Sequence, residues 1–166
     1  RNHSSAASDV YKRQMVSGLT PRLRWLAGVD IDHTKGSLFE DQAEFFSPNQ
    51  PDGVHYDYDV QAQTLAGFTQ LNWALSDRWQ MTGGLRLEET RYDYRNLTDP
   101  GPACAPSASA CRFFRPASRE DRFTDWTGNL ALSYQTDHAT IFARAARGFR
   151  APQTTELYRL QSGQVT

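Results

Sequence analysis

A chain of 166 residues is long enough for one ordinary domain. Its 18 basic and 19 acidic residues leave a net charge of −1, which sets up no field to draw nucleic acid or an acidic membrane surface. Hydrophobic residues make up 39% and the mean hydropathy is −0.67, so there is no run of about 18 apolar residues to cross a bilayer as a helix. A membrane protein built from strands is not excluded, because an alternating strand is half polar by construction.

Residues 1–14 are polar and aperiodic and are read as a non-native or disordered tail, leaving 15–166 as the folded part. The first twenty residues lack the basic start, apolar run and small-residue cleavage site of a signal peptide. After Pro21 the residues Leu23, Trp25, Ala27, Val29 and Ile31 share one phase. Arg24, Gly28, Asp30 and Asp32 share the other, with Leu26 the exception. That is a first strand of about ten residues with one oily and one wet face. From Thr34 to Asp59 the period disappears, which predicts a long loop.

Periodicity resumes with Leu65, Thr69, Leu71, Trp73 and Leu75, read against Gln63, Gln70 and Asn72, with Phe68 an exception on the polar side. Ser76-Asp77-Arg78 reverses the chain. Trp79, Met81, Leu85 and Leu87 then face away from Gln80, Thr82, Arg86, Glu88 and Thr90. A second long loop runs from about Asn96 to Asp121. Trp126, Leu130, Leu132 and Tyr134, with Gly128 in phase, form the apolar face of a fourth strand. A turn at Asp137 leads into a weak fifth, Thr140 to Arg147, before Pro152 stops the ladder.

Three features bear on which solvent the oily face meets. The strands reach the 9–11 residues or so that a tilted membrane-spanning strand needs. Short turns alternate with long loops, as at the two rims of an outer-membrane barrel. Aromatics gather at strand ends: Trp25, Trp73, Trp79 and Tyr134 toward the short turns, and Tyr92, Tyr94 and Trp126 toward the loops, which predicts two interfacial girdles. Gln80, Thr82, Arg86 and Glu88 could not all be buried in a dry core without partners and suit a hydrated lumen. The alternative is a soluble extracellular β-sandwich binding module, in which a second sheet covers the apolar face. A less favoured one is an outer-membrane barrel enzyme.

Cys104 and Cys111, with six residues between them, sit in a Pro, Ala and Ser-rich stretch. A disulfide closing that small loop fits an oxidising compartment, and two unpaired thiols are the alternative. Asp30 and Asp32 suit polar lumen lining better than acid/base or metal chemistry, since the adjacent His33 falls in the opposite phase. His55, Asp57 and Asp59 share a phase, yet a hairpin at the rim accounts for them better than a cation site. In the loops, Phe45, Phe46, Tyr56 and Tyr58, with Arg112, Phe113, Phe114 and Arg115, could hold an aromatic, anionic chelate by stacking and charge. No catalytic constellation, zinc spacing or phosphate-cradling loop is present, so neither an enzyme nor a cofactor is expected.

Leu71-Asn72-Trp73-Ala74-Leu75-Ser76-Asp77-Arg78, Thr82-Gly83-Gly84-Leu85-Arg86-Leu87-Glu88 and Ala146-Arg147-Gly148-Phe149-Arg150-Ala151-Pro152, followed by Glu156-Leu157-Tyr158, resemble the barrel of TonB-dependent receptors of the Gram-negative outer membrane. The third stretch carries most of the likeness, which covers Leu19 to Thr166. It implies an all-β fold, an antiparallel transmembrane barrel of about 22 strands enclosing a plug, of which this chain supplies about five strands. It also implies outer-membrane lipid as surroundings, TonB as a partner through a plug not in this chain, and uptake of a ferric siderophore, haem or cobalamin. Gly84, Arg86, Arg147, Gly148, Phe149 and Pro152 are the motif residues and are taken as structural. Gly148 is expected to adopt a backbone shape closed to other residues, and Pro152 to end the last strand at the outer rim. Gln164-Val165-Thr166 lack the terminal aromatic of a closing strand, which marks an internal fragment.

Overall fold

The structure, a computed structural model, describes residues 2–108 and 111–160, with side chains from residue 9 onward. The final Gln164-Val165-Thr166 therefore lie outside the described residues. The long strands are β1 (Asn2–Leu19), β2 (Leu23–Gln42), β3 (Gly53–Ala74) and β4 (Trp79–Asn96). Two short strands, β5 (Gly101–Pro102) and β6 (Phe114–Arg115), precede β7 (Arg119–Gln135), β8 (Thr140–Arg147) and one helix, α1 (Thr154–Tyr158). The main sheet runs β1-β2-β3-β4-β7-β8, every neighbour antiparallel, and β5 pairs with β6 apart from it. The sheet is open. Tight reversals join β1 to β2, β3 to β4 and β7 to β8, and the two long connections lie at the other end.

The register separates the two faces. Trp25 pairs with Leu71, Ile31 with Leu65, Trp73 with Met81, Leu87 with Trp126, and Leu132 with Met81. These side chains line one wall, and Trp25, Ile31, Leu65, Trp73, Leu87, Trp126 and Leu130 are all at least 40% exposed. No second sheet covers them among the described residues, which removes the sandwich alternative. An apolar wall turned outward, with every interior strand paired on both sides, is what a hydrocarbon solvent demands.

The opposite wall is polar and holds together by charge. Asp30, 2% exposed, accepts from Arg13 Nε at 2.7 Å and from Arg86 Nη1 at 2.5 Å, with Tyr11 OH at 3.1 Å. Arg86 also donates to Glu88 at 2.8 Å. The register sets Ala66 directly between Asp30 and Glu88, and its single methyl leaves room for Arg86 to reach across β3. Phe68, the sequence exception, lies on this wall against Gly28. A Cβ there would stand 2.7 Å from the ring, so glycine is required by the close approach. Gly84 makes similar room for Asn129, whose Nδ2 would come within 3.0 Å of an added Cβ.

Several expectations are corrected. Residues 2–19, most of them read as a tail, pair along β2 as a strand, so the sheet has six long strands rather than five. β2 and β3 continue to Gln42 and from Gly53, which shrinks the first long loop to residues 43–52. β3 has 22 residues, roughly 70 Å at about 3.3 Å per residue, more than twice the ~30 Å hydrocarbon core. Beyond the apolar band the outward stripe stops and the larger apolar and aromatic side chains, Tyr56, Tyr58 and Val60, pass to the inner phase against Asp57 and Asp59, so the stripe that marks the spanning part does not continue. Gln63 shares the phase of Leu65 and lies on the outer wall above the band. Gly148 has no left-handed φ and open space around it, and β8 ends at Arg147, five residues before Pro152.

Leu130 sits midway between Trp126 and Tyr134 on the outer wall, while Thr82 lies on the inner one. In the complete barrel in lipid, Leu130→Arg is expected to lower unfolding free energy by about 2–4 kcal/mol in urea titration, with Thr82→Arg changing it far less. Equal losses for the two variants would contradict the assignment of faces.

The candidate ligand-binding rim

Above the apolar band, at the long-loop end, the inner phase becomes aromatic. Tyr56, Tyr58 and Val60 on β3 and Tyr94 on β4 form a buried cluster with Phe113 and Tyr158, and Leu38, Tyr92, Ala103 and Leu157 pack against it. Tyr92 and Tyr94 are therefore cluster residues facing inward and not part of an outer girdle; Trp126 alone of that predicted set faces outward.

The cluster is assembled from three directions. The chain leaves the sheet edge at the end of β8 and crosses the inner face toward β2. On the way Pro152 O accepts from Tyr92 OH at 3.0 Å. α1 starts with the Gln153 backbone N–H donating to Glu156 Oε2 at 2.7 Å, and Arg150 Nη2 reaches Glu156 Oε1 at 2.8 Å. Those bonds, the backbone one first, hold the Glu156 carboxyl below its ordinary pKa. α1 delivers Tyr158, wholly buried, onto the Tyr94 ring at 4.1 Å and 12°, with its hydroxyl donating to Asp121 Oδ2 at 2.9 Å. Arg159 then pairs with Glu40 on β2 at 2.5 Å, and Leu160 O accepts from Tyr56 OH at 2.9 Å.

The second direction is the connection between β4 and β7. Cys104 and Cys111 are joined, with Cα atoms 5.6 Å apart, closing the tip of the β5–β6 hairpin. The hairpin inserts Phe113, which stacks on His55 at 3.7 Å and meets Tyr56 edge-on at 5.9 Å. The third is the bulge in β3. Glu40 pairs with Tyr56 and Asp41 with Val54, so His55 is an extra residue. The bulge turns His55 inward out of phase with Asp57 and Asp59, and its Nε2 lies 2.8 Å from Pro51 O. The shared face expected for His55, Asp57 and Asp59 is lost. No set of three or more potential metal ligands converges among the described residues.

The eight loop residues singled out from sequence thus divide. Tyr56, Tyr58 and Phe113 are packed away at 3%, 4% and 6% exposure. Phe114 is half-buried and bridges to Leu160, and the half-buried Arg115 has its Nε buried without a hydrogen-bond partner among the described residues. Phe45 and Phe46 stand out into solvent at 61% and 76%, and Arg112 is exposed, with Nη1 3.4 Å from Gln50. An open cleft of about 590 Å³ lies among Glu40, Gln50, Arg112, Phe113, Thr155 and Arg159. Thr155 and Arg159 escape sequence reasoning because they follow the last strand in a segment with no hydropathy period. Arg147, a motif residue, ties the end of β8 to the middle of β7: it lies over the Trp126 ring at 4.4 Å and pairs with Asp125 at 2.8 Å.

Burial raises the Tyr56 phenol to about 12 and pushes Tyr94 and Tyr158 up as well. A phenol shifted upward stabilises the folded rim below its ordinary value of 10.0 and loses that contribution as pH rises through the raised value. The near-ultraviolet circular dichroism of the rim aromatics should hold through pH 10 and collapse near 12. Collapse centred on the ordinary phenol value would show that the cluster is open to water.

The family model described as TonB dependent receptor-like, beta-barrel, matches residues 2–165. No curated protein matches the chain. The match covers the six long strands, the disulfide hairpin and α1 alike, and the family's role is that of an outer-membrane receptor and transporter. With an outward apolar wall, a polar inner wall and a roofed mouth, the chain belongs to the TonB-dependent receptor β-barrel family.

Proposed function

We propose that this sheet is part of a receptor in the outer membrane of a Gram-negative bacterium that captures a scarce nutrient at its loop end and imports it. A ferric siderophore, haem or cobalamin is the kind of cargo meant. The energy comes from TonB acting on a plug that lies outside the residues described. The cleft between the disulfide hairpin, the end of β2 and α1 supports this reading most directly, because it opens at the mouth of the polar wall and is edged by an exposed guanidinium.

In this reading the buried and exposed rim residues have different tasks. Tyr56, Tyr58 and Phe113 fix the shape of the mouth, and Phe45, Phe46 and Arg112 are the groups free to meet a ligand. Aromatic faces and a guanidinium suit a flat, anionic chelate. The Cys104–Cys111 bond holds the hairpin that presents Arg112, which fits an oxidising compartment.

Triple replacement Phe45→Ala, Phe46→Ala and Arg112→Ala in the complete receptor should weaken binding of its cargo about tenfold or more, roughly 1.4 kcal/mol. Binding on whole cells, with the level of receptor in the membrane fraction held equal, is the measurement. Unchanged affinity would overturn the assignment of these loops.

A further inference from the structure

The cleft at the mouth holds two guanidinium groups in different states. Arg112 is exposed and makes no ion pair among the described residues; its Nη1 lies 3.4 Å from Gln50 and its Cζ 5.9 Å from the Phe113 ring. Arg159 lines the same cleft but is already taken. Its Nη2 lies 2.5 Å from Glu40 Oε2, and its Cζ stands 5.7 Å from the Tyr56 ring. The Glu40 side chain is 13% exposed and that of Arg159 38%, so the carboxylate is the enclosed partner and the guanidinium is the one a solute in the cleft reaches first.

The same pair fastens the end of the crossing segment. Leu160, the next residue, offers its carbonyl to two donors at 2.9 Å, Tyr56 OH on β3 and the Phe114 N–H on β6. Residues 159 and 160 therefore tie α1 to β2, to β3 and to the disulfide hairpin at one point. Tyr158, just before them, is seated independently: it is wholly buried, stacks on Tyr94 and donates to Asp121.

We infer that Arg159 is a second anion-binding group of the cleft and that Glu40 fills it in the empty receptor, so that an anionic cargo displaces this carboxylate and in doing so frees residues 159–160. The inference deepens the proposed function and rests on it. Glu40 is held on β2 beside Arg159, which gives its carboxylate an effective concentration on the order of millimolar or more. A dilute monocarboxylate, meeting one guanidinium, loses to it. A chelate whose carboxylates reach Arg112 and Arg159 together makes both contacts in one binding event and displaces it. The internal carboxylate is thus a filter that admits polyanionic chelates and refuses small single anions. With the pair broken, Tyr158 still anchors α1, so the change stays local to residues 159–160 and to β6, which Leu160 holds.

The test uses the complete receptor with ferric citrate and haem as probes, both bearing more than one carboxylate. Glu40→Gln and Glu40→Ala, which remove the competitor, should bind the retained probe about fivefold more tightly than wild type, the scale of one partly exposed ion pair. Arg159→Gln should bind it about tenfold more weakly. Acetate, against sodium chloride at equal ionic strength, should compete with the probe in Glu40→Ala and not in wild type. Amide hydrogen exchange gives an independent readout. On saturation with the probe the Phe114 amide should exchange about tenfold faster, while the Ala103 amide, bonded to Phe113 O within the hairpin, should not change. Weaker binding in all three variants would mark the Glu40–Arg159 pair as a structural tie and overturn the inference. So would a Phe114 amide that stays protected at saturation, or acetate competing equally in wild type and Glu40→Ala. A wild-type receptor in the membrane fraction that binds neither probe would instead overturn the anionic-chelate reading of the cleft on which the inference stands.

Discussion

Hydrocarbon cannot hydrogen-bond a peptide group, and this constraint organises the molecule from the turns at one end to the roof at the other. Within the apolar band each interior strand of the sheet gives its backbone groups to a neighbour on both sides. Among the described residues the outer edges of β1 and β8, and that of β7 before Gly128, lack a strand partner, as befits a section of a larger barrel. Once the ladder satisfies the backbone, side chains need only sort by solvent, and alternation sorts them: Met81, Leu85 and Leu87 outward, Thr82, Arg86 and Glu88 inward. Trp25, Trp73, Trp79 and Tyr134 mark the lower border of the apolar band, where an amphipathic ring is favoured.

The inner wall answers a different demand. Its charges stand where water or a plug can reach, yet Asp30 is almost wholly enclosed, because Arg13, Arg86 and Tyr11 close around it from β1 and β4. The contacts span four strands and fix their spacing from within. Higher up, charge gives way to aromatic packing. The strands outrun the bilayer there, and the cluster of Tyr56, Tyr58, Tyr94, Phe113 and Tyr158 substitutes for the support that lipid gives lower down. The disulfide hairpin and α1 are held to this cluster, so the rim that meets the outside is braced against the same strands that cross the membrane.

The membrane-spanning half of the fold was legible in the sequence because lipid imposes a simple code. Leu71 and Trp73, Leu85 and Leu87, Leu130 and Leu132 fall on alternate positions, and the structure sets them on one wall. Where the strands leave the apolar band the code lapses. Residues 34–42 and 53–64 are strand because their backbones pair; the outward apolar stripe does not reach them, and Tyr56, Tyr58 and Val60 alternate on the inner phase instead. The β1 stretch hid for the same reason: Lys12 and Gln14 face outward where a hydrophobe would have signalled a strand. The inward turn of Tyr92 and Tyr94 was hidden by their type, since an interfacial girdle and a packed mouth both favour tyrosine. His55 went astray through a bulge, which shifts phase by one residue without trace in composition. Of the rim residues, the exposed Phe45, Phe46 and Arg112 and the buried Tyr56, Tyr58 and Phe113 looked alike in sequence, because only the hairpin's return path distinguishes them.

One wall of this sheet touches acyl chains and the other does not. Single cysteines placed in turn along β4 from Gln80 to Glu88 in the complete barrel, reconstituted in vesicles, test it most directly. Spin labels at positions 81, 83, 85 and 87 should be relaxed by oxygen dissolved in the bilayer. Those at 80, 82, 86 and 88 should be relaxed by a water-soluble nickel chelate, giving an alternation of period two. Equal access of the chelate to both sets, or burial of both, would contradict the account.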